Sequence, residues 1–266
     1  MKVRKRFGQH FLEPAWVAKV IDAISPAPDD TFLEIGPGPG ALTRPLAGRC
    51  RRIVAVEIDR DLAAALPSRV PANVEVITAD VLALDLVPLL RSLADGGRTR
   101  VAGNLPYNIS TPVLFAVLAA ARLETRVIDA TFMLQREVAA RLSAAPGTRD
   151  YGVLTVTAAR FARVRSVLTL PPGAFRPPPQ VTSSLVRLEF LRGQDTTDVP
   201  EWFDDMVRAA FGQRRKTIAN ALSSFASARG HDVRQALDAA GVDPKRRPET
   251  LSFDELVGLA GRFANP

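Results

Sequence analysis

Three features, each closing one of three successive apolar runs, have the residue types and spacing to hold a nucleoside. Glu34-Ile35-Gly36-Pro37-Gly38-Pro39-Gly40 stands between an apolar run and a helical stretch. Glycines there let the backbone turn sharply and let a ligand approach without Cβ interference, next to the free N–H groups of a helix start. The spacing is GxGxG, not the GxGxxG of dinucleotide sites, and no Lys-Ser/Thr follows to make a P-loop. A plain tight turn would account for the glycines alone. Glu57 closes the next apolar run, 21 residues after Gly36, where an acid accepts hydrogen bonds from both ribose hydroxyls. Asp80, after the third run in Thr78-Ala79-Asp80-Val81, can accept from an exocyclic adenine amine. Either acid alone could be a surface carboxylate at a strand end. The three together point to a nucleoside.

Asn104-Leu105-Pro106-Tyr107 ends a fourth run and resembles the Asn/Asp-Pro-Pro-Tyr signature of enzymes that methylate exocyclic or amide nitrogens. An adenine amine is a poor nucleophile because its lone pair is delocalised into the ring. The Asn104 side-chain oxygen and a backbone carbonyl, accepting its two hydrogens, can hold the nitrogen toward sp3 geometry, aimed at a methyl sulfonium. Leu105, ahead of a proline, is pushed to an extended conformation that orients its carbonyl. Tyr107 offers an aromatic face to a flipped base, a contact of about 1–3 kcal/mol. The plainer alternative is an Asn-Pro turn beside a core tyrosine. Only two tyrosines occur in the chain, however, and this one follows a strand end like the acids.

Such groups need a frame that brings strand ends to one edge. Thr31–Ile35, Arg52–Val56, Asn73–Ile77, Arg100–Gly103 and Ile128–Leu134 read as short apolar strands. They alternate with helices over about Pro14–Ile24, Ala41–Ala47, Asp59–Leu66 and Thr111–Ala121. Pro14 suits a first helical turn, where a missing N–H costs nothing. This alternation means a parallel sheet covered on both faces, so residues 1–190 are read as a doubly wound, Rossmann-like α/β domain. Past the prolines of 171–179, residues 182–190 alternate like a strand. From Glu201 onward, Phe203, Met206, Val207, Ala210 and Phe211 fall at helical spacing. Three or four more helices fit in 214–262, which makes 191–266 a small all-helical domain.

The 266 residues, 47% hydrophobic, suffice for a sizeable core and exclude a largely disordered chain. No apolar run approaches the roughly 18–20 residues that cross a bilayer. The basic start MKVRKRFGQHFL has no apolar stretch after its charges, so a secretory signal is not expected and a cytoplasmic location is. Cys50 is the single cysteine, too few for an internal disulfide or a zinc cluster. His10 and His231 stand alone, and no metal is expected.

Charge points to a polyanion, since 35 Lys and Arg stand against 28 Asp and Glu, net +7. Residues 1–190 carry that whole excess. Residues 191–266 are neutral but segregated, with nine basic and three acidic residues over 208–247. Arg214, Arg215 and Lys216 read as opening a helix whose apolar face is Ile218, Leu222 and Phe225. Positive charge at a helix start opposes the macrodipole, so phosphate is the expected partner. The alternative is a solvated charged face. Lys245-Arg246-Arg247 is a second, weaker candidate.

Six ordered segments together resemble the KsgA-type rRNA adenine dimethyltransferases, over nearly the whole chain. They are Phe7-Gly8-Gln9-His10-Phe11-Leu12, Glu34–Gly40 with Glu57, Asp80, Asn104–Thr111 (NLPYNIST), Phe175–Ser184 (FRPPPQVTSS) and Phe211–Thr217 (FGQRRKT). His10 stands where many members have Asn. The resemblance implies a class I methyltransferase fold without a metal. It implies that S-adenosyl-L-methionine contacts His10, Leu12, Gly36 and Gly38, Glu57 and Ile58, Asp80 and Asn104. It further implies that Asn104, Leu105, Pro106 and Tyr107 are completed by Phe175, with Tyr107 and Phe175 sandwiching the adenine. Phe175 sits in a proline-flanked loop able to hold an aromatic wall; alternatively it plugs the sheet edge.

The implied substrate is two adjacent adenines in the 3′-terminal stem-loop of small-subunit (16S) rRNA, within an assembling 30S subunit. On that view 1–190 bind the cofactor, 191–266 recognise rRNA through Arg214, Arg215 and Lys216, and the protein is a monomer without a membrane partner. One rival is a resistance-type enzyme acting on large-subunit (23S) rRNA, against which FRPPPQVTSS and FGQRRKT argue. Another is a catalytically silent ribosome-assembly factor, against which the intact GPGPG, Glu57 and NLPY argue.

Overall fold

The structure, a computed structural model, describes residues 10–93, 97–192 and 199–264; Phe7, Gly8 and Gln9 of the first motif lie outside them. In chain order the strands are β1 (Phe11–Leu12), β2 (Thr31–Ile35), β3 (Arg52–Glu57), β4 (Val74–Thr78), β5 (Thr99–Asn104), β6 (Val127–Gln135), β7 (Ala162–Leu170), β8 (Phe175–Arg176) and β9 (Ser183–Phe190). The helices are α1 (Pro14–Ile24), α2 (Thr43–Ala47), α3 (Arg60–Ala65), α4 (Leu86–Ser92), α5 (Ser110–Leu123), α6 (Arg136–Leu142), α7 (Val153–Phe161), α8 (Phe203–Gly212), α9 (Ile218–Ser227), α10 (Val233–Ala239) and α11 (Phe253–Ala260). Among the described residues no helix is long and apolar enough to cross a membrane.

The chain divides into two compact units. The first runs to Ala139 and resumes over Ala162–Phe190; the second takes Ala140–Phe161 and the chain from Leu191. The chain from Leu191 falls in the second unit, but so does Ala140–Phe161, an excursion from within 1–190. The reason is local: Tyr151 and Val156 of that excursion belong to the core formed by α8, α9 and α11.

The first unit is built on a seven-stranded sheet of order β4-β3-β2-β5-β6-β9-β7. From β4 to β6 the strands are parallel, and β2 is buried along its whole length, as a strand covered on both faces should be. The sheet is mixed rather than wholly parallel, because β9 lies antiparallel between β6 and β7. The link from β7 to β9 contains no crossover helix, only a short turn and β8. A link of that kind returns a strand antiparallel.

Registers level the carboxyl ends of the central strands. Ile35 pairs with Val56 and Gly103, and Glu57 with Thr78. The chain proceeds from β2 outward to β3 and β4, then returns to β5 on the other side. That reversal makes the carboxyl end of β2 the crevice where ligands of such sheets bind. A separate two-stranded ladder pairs β1 with β8, Phe11 to Arg176 and Leu12 to Phe175, and fastens the arm to the proline loop.

In the second unit, Phe203, Met206, Val207, Ala210 and Phe211 are all buried, as the spacing predicts. Arg214, Arg215 and Lys216 do not open α9. They occupy the exposed turn before Thr217, whose hydroxyl caps the helix at Asn220. Thr217, extended and able to accept from the free N–H groups, is the better helix start.

Candidate active site

The chain leaves β2 through Gly36, Gly38 and Gly40, at φ of 70°, 57° and 85°, a region that side chains disfavour. Gly36 N–H donates to the Val56 carbonyl at 2.9 Å. Gly38 N–H donates to Glu57 Oε2 and Asp59 N–H to Glu57 Oε1, each at 2.9 Å. Glu57 therefore shapes the loop as well as closing β3. It is 4% exposed, and burial pushes its carboxyl above the usual range, opposed by those two bonds. A Cβ on Gly38 would stand 3.2 Å from Phe11 Cε1, so the arm rests on the loop where glycine leaves room. Asp80 is exposed at the end of β4 and caps a short turn through Leu82 N–H.

Across the crevice, Asn104 ends β5. Its Nδ2 donates to the His10 carbonyl at 2.7 Å, which fixes the amide plane and leaves Oδ1 as the acceptor it can offer. Leu105 is buried and pins the segment from below. The Tyr107 hydroxyl lies 2.6 Å from Ser183 Oγ. The His10 ring stacks on the Tyr107 ring, with centroids 5.4 Å apart and planes at 27°. His10 Nδ1 donates to the Pro177 carbonyl at 2.8 Å. One arm residue thus touches Asn104, Tyr107 and the proline loop.

These parts enclose a single cleft with about 920 Å³ of empty space, part of it open to solvent. Its lining includes His10, Leu12, Gly36, Gly38, Glu57, Ile58, Asp80, Asn104, Leu105, Pro106 and Tyr107. Those are eleven of the twelve residues expected to bind cofactor or act on the base. Phe175 is the exception. It is 2% exposed, lies in the core with Leu12, Ile21 and Leu185, and does not line the cleft. It pairs with Leu12 and packs in the core as a plug would, and the ring facing Tyr107 is His10. Glu34, Phe11 and Ser183, which lie within the motifs without roles of their own in the sequence, also take part. Glu34 lines the cleft at 1% exposure with Oε2 unpartnered, and burial raises its carboxyl to about 7.

A family model described as ribosomal RNA adenine dimethylase matches residues 1–264. The chain belongs to that family. The ribosomal RNA small subunit methyltransferase A of Aromatoleum aromaticum is 44% identical over 266 residues, covering 99% of this chain and 95% of the relative. Its namesake in Acinetobacter baylyi is 43% identical, covering 98% and 93%. Among solved structures, a dimethyladenosine transferase from Plasmodium falciparum has the same fold, with TM-score 0.76 and 23% identity over 94% of this chain and 96% of that one. The 23S rRNA methyltransferase ErmE matches with TM-score 0.67 and 28% identity, over 95% and 99%. The protein is an rRNA methyltransferase, with a Rossmann-like α/β unit and a helical C-terminal region, as its motifs led one to expect.

The basic runs of this family member lie in its second unit, described by itself. Arg246 O accepts from Ile218 N–H at 2.7 Å and Pro244 O from Ala219 N–H at 3.4 Å. The turn holding Lys245-Arg246-Arg247 therefore packs against the start of α9, beside Arg214–Lys216. Arg246 is paired with Glu255, and Arg214 donates to the carbonyls of Arg149 and Tyr151. Arg215, Lys216, Lys245 and Arg247 are exposed.

Proposed function

We propose that the protein uses S-adenosyl-L-methionine to dimethylate the N6 amines of two adjacent adenines in the 3′-terminal stem-loop of small-subunit (16S) rRNA. It would act as a cytoplasmic monomer on an assembling 30S subunit. The observation that carries this reading is the convergence of the glycine loop, the two strand-end acids and the tetrad on one cleft, with Asn104 locked by the arm. The donor set fits the cofactor. Glycines leave backbone N–H groups open to approach, Glu57 suits a ribose diol and Asp80 an adenine amine. The unpartnered oxygen of Glu34 suits a cationic group. When bound, the cofactor supplies an electrophilic methyl group on a sulfonium.

The chain supplies position. Asn104 Oδ1 and the Leu105 carbonyl accept from the target amine and hold its lone pair toward the methyl group, while Tyr107 offers its ring to the extruded base. A methylated, cationic amine is acidic enough to lose its proton to water, so the tetrad needs no carboxylate base. Arg214, Arg215 and Lys216, extended by Lys245 and Arg247, would meet rRNA phosphates. Higher identity to small-subunit relatives than to ErmE, 44% against 28%, favours the 16S over the 23S substrate. The test is mass spectrometry of both rRNAs after incubation of subunits with labelled cofactor. Label on adjacent small-subunit adenines is expected. Label on a large-subunit adenine, or on neither rRNA, would overturn the reading in favour of the resistance-type enzyme or the silent factor.

A further inference from the structure

Between β8 and β9 the chain runs past Tyr107 with apolar groups turned to water. Pro177, Pro178 and Val181 are exposed, Val181 to 44%. A single exposed apolar side chain is ordinary, but this one stands on an anchored loop. The Pro177 carbonyl accepts from His10 and the Thr182 carbonyl from Arg136 N–H at 3.0 Å. Ser183 holds the Tyr107 hydroxyl. Val181 is two residues from Ser183, at most about 7 Å of extended chain, so its side chain is held near the tetrad. Arg136, the first residue of α6, is exposed beside the same loop.

An adenine amine cannot reach a methyl donor from inside a base stack, so the base must swing out and leave a gap behind it. Proteins that hold nucleic acid unstacked fill such gaps with apolar side chains and place cations on neighbouring phosphates. We propose that residues 176–182 form such a wedge. Val181 and Pro178 pack on the nucleotide beside the target adenines, and Arg136 meets the adjoining phosphate. The partner is an RNA loop whose adenines are extruded one at a time into the cleft. This rests on the reading of the cleft as the adenine-methylating site.

Single-turnover transfer to small-subunit particles tests it, on rRNA that is either intact or abasic at the nucleotide flanking the adenine pair. On intact rRNA, Val181→Ser should lower the rate at subsaturating substrate about tenfold, the scale of one lost apolar contact at a specificity site. Cofactor affinity should be unchanged and Val181→Leu should stay within about twofold of wild type. On the abasic rRNA, where Val181 has no neighbouring base to pack on, Val181→Ser and wild type should agree to within about twofold. Arg136→Gln should flatten the salt dependence of particle binding by roughly one unit of slope. Wild-type rates for Val181→Ser on intact rRNA, or an equal defect on both, would overturn the wedge while leaving the cleft in place. A wild-type enzyme silent on adenine in both would overturn the cleft itself, and the wedge with it.

Discussion

Replacing Glu34 with glutamine should remove a pH dependence that the wild-type first unit carries near neutrality. Glu34 sits in the middle of the sheet, 1% exposed, with one carboxyl oxygen unpartnered. Burial is the main cause of its raised pKa, Thr43 opposes it, and the nearby Glu57 charge adds to it; the carboxyl moves from 4.5 to about 7. The folded protein therefore holds this proton more tightly than the unfolded chain. The resulting stability is complete below about pH 4.5 and is lost as pH rises through about 7. At about 1.4 kcal/mol per pH unit, the rise from 4.5 to about 7 comes to about 3 kcal/mol, most of it falling between pH 5 and 8. Glutamine has nearly the same shape and no proton to lose. Trp16 packs on the first core and Trp202 on the second, so a Trp202→Phe background makes tryptophan fluorescence report the first unit during urea unfolding. Measured at pH 5 and pH 8, the stability difference between Glu34→Gln and its parent should shift toward the variant by roughly 2–3 kcal/mol. A difference that stays constant across that range would mean Glu34 is already ionised in the folded state, and the reasoning would fail.

Glu57→Ala should weaken S-adenosyl-L-methionine binding by roughly 1.5–3 kcal/mol, the scale for hydrogen bonds to a charged acceptor; calorimetry showing wild-type affinity in a folded variant would remove Glu57 from the site. Asn104→Ala should slow single-turnover methyl transfer at least about 100-fold, as for one preorganised catalytic hydrogen bond, while particle binding survives. Replacing Arg214, Arg215 and Lys216 with glutamine should flatten the salt dependence of rRNA binding by roughly one unit per lost phosphate contact. An unaltered slope would return the run to a solvated face. Phe175→Ala should destabilise the first unit by about 3–5 kcal/mol, as for a buried aromatic. A stable variant with only a base-binding defect would restore Phe175 as a wall of the site.

The parts of the fold written as apolar runs were legible. β2 and α1 have the bounds their sequence predicts, because a strand buried on both faces and a proline-led amphipathic helix are local patterns. β7 was not, because it is the edge strand and half its residues, Arg163 and Arg165 among them, face water. No apolar run marks it. The site divides along the same line. Glu57, Asp80 and the tetrad are placed by following strands, and chain spacing records that. Ser183 meets Tyr107 across 76 residues, a contact no spacing announces. Phe175 is ambiguous in sequence for a related reason: a phenylalanine before prolines looks the same as a pocket wall or a core plug. Its burial and its pairing with Leu12 place it in the core.

That pairing depends on where α1 is held, and the hold is at the far end of the helix. Arg100 in β5 is buried and uses all five N–H donors, on Asp30, on both oxygens of Asp129, and on the carbonyls of Ile24 and Ser25. Arg187 in β9 adds bonds to the carbonyls of Ala23 and Ile24. The last carbonyls of α1, unpaired in any helix, are thus answered by cations set in the sheet, where the helix dipole also favours them. Such buried ions are a costly way to gain stability, but their geometry leaves little freedom. From that fixed end, eleven residues at about 1.5 Å each carry the helix about 16 Å along the sheet to Pro14. There Glu13 N–H donates to the Ala174 carbonyl at 2.8 Å and its side chain pairs with Arg176. Phe11 and Leu12 join β8, and His10 reaches Asn104 and Tyr107. The Asn104 amide is therefore held by a chain of contacts that begins in an ion network at the amino end of its own strand.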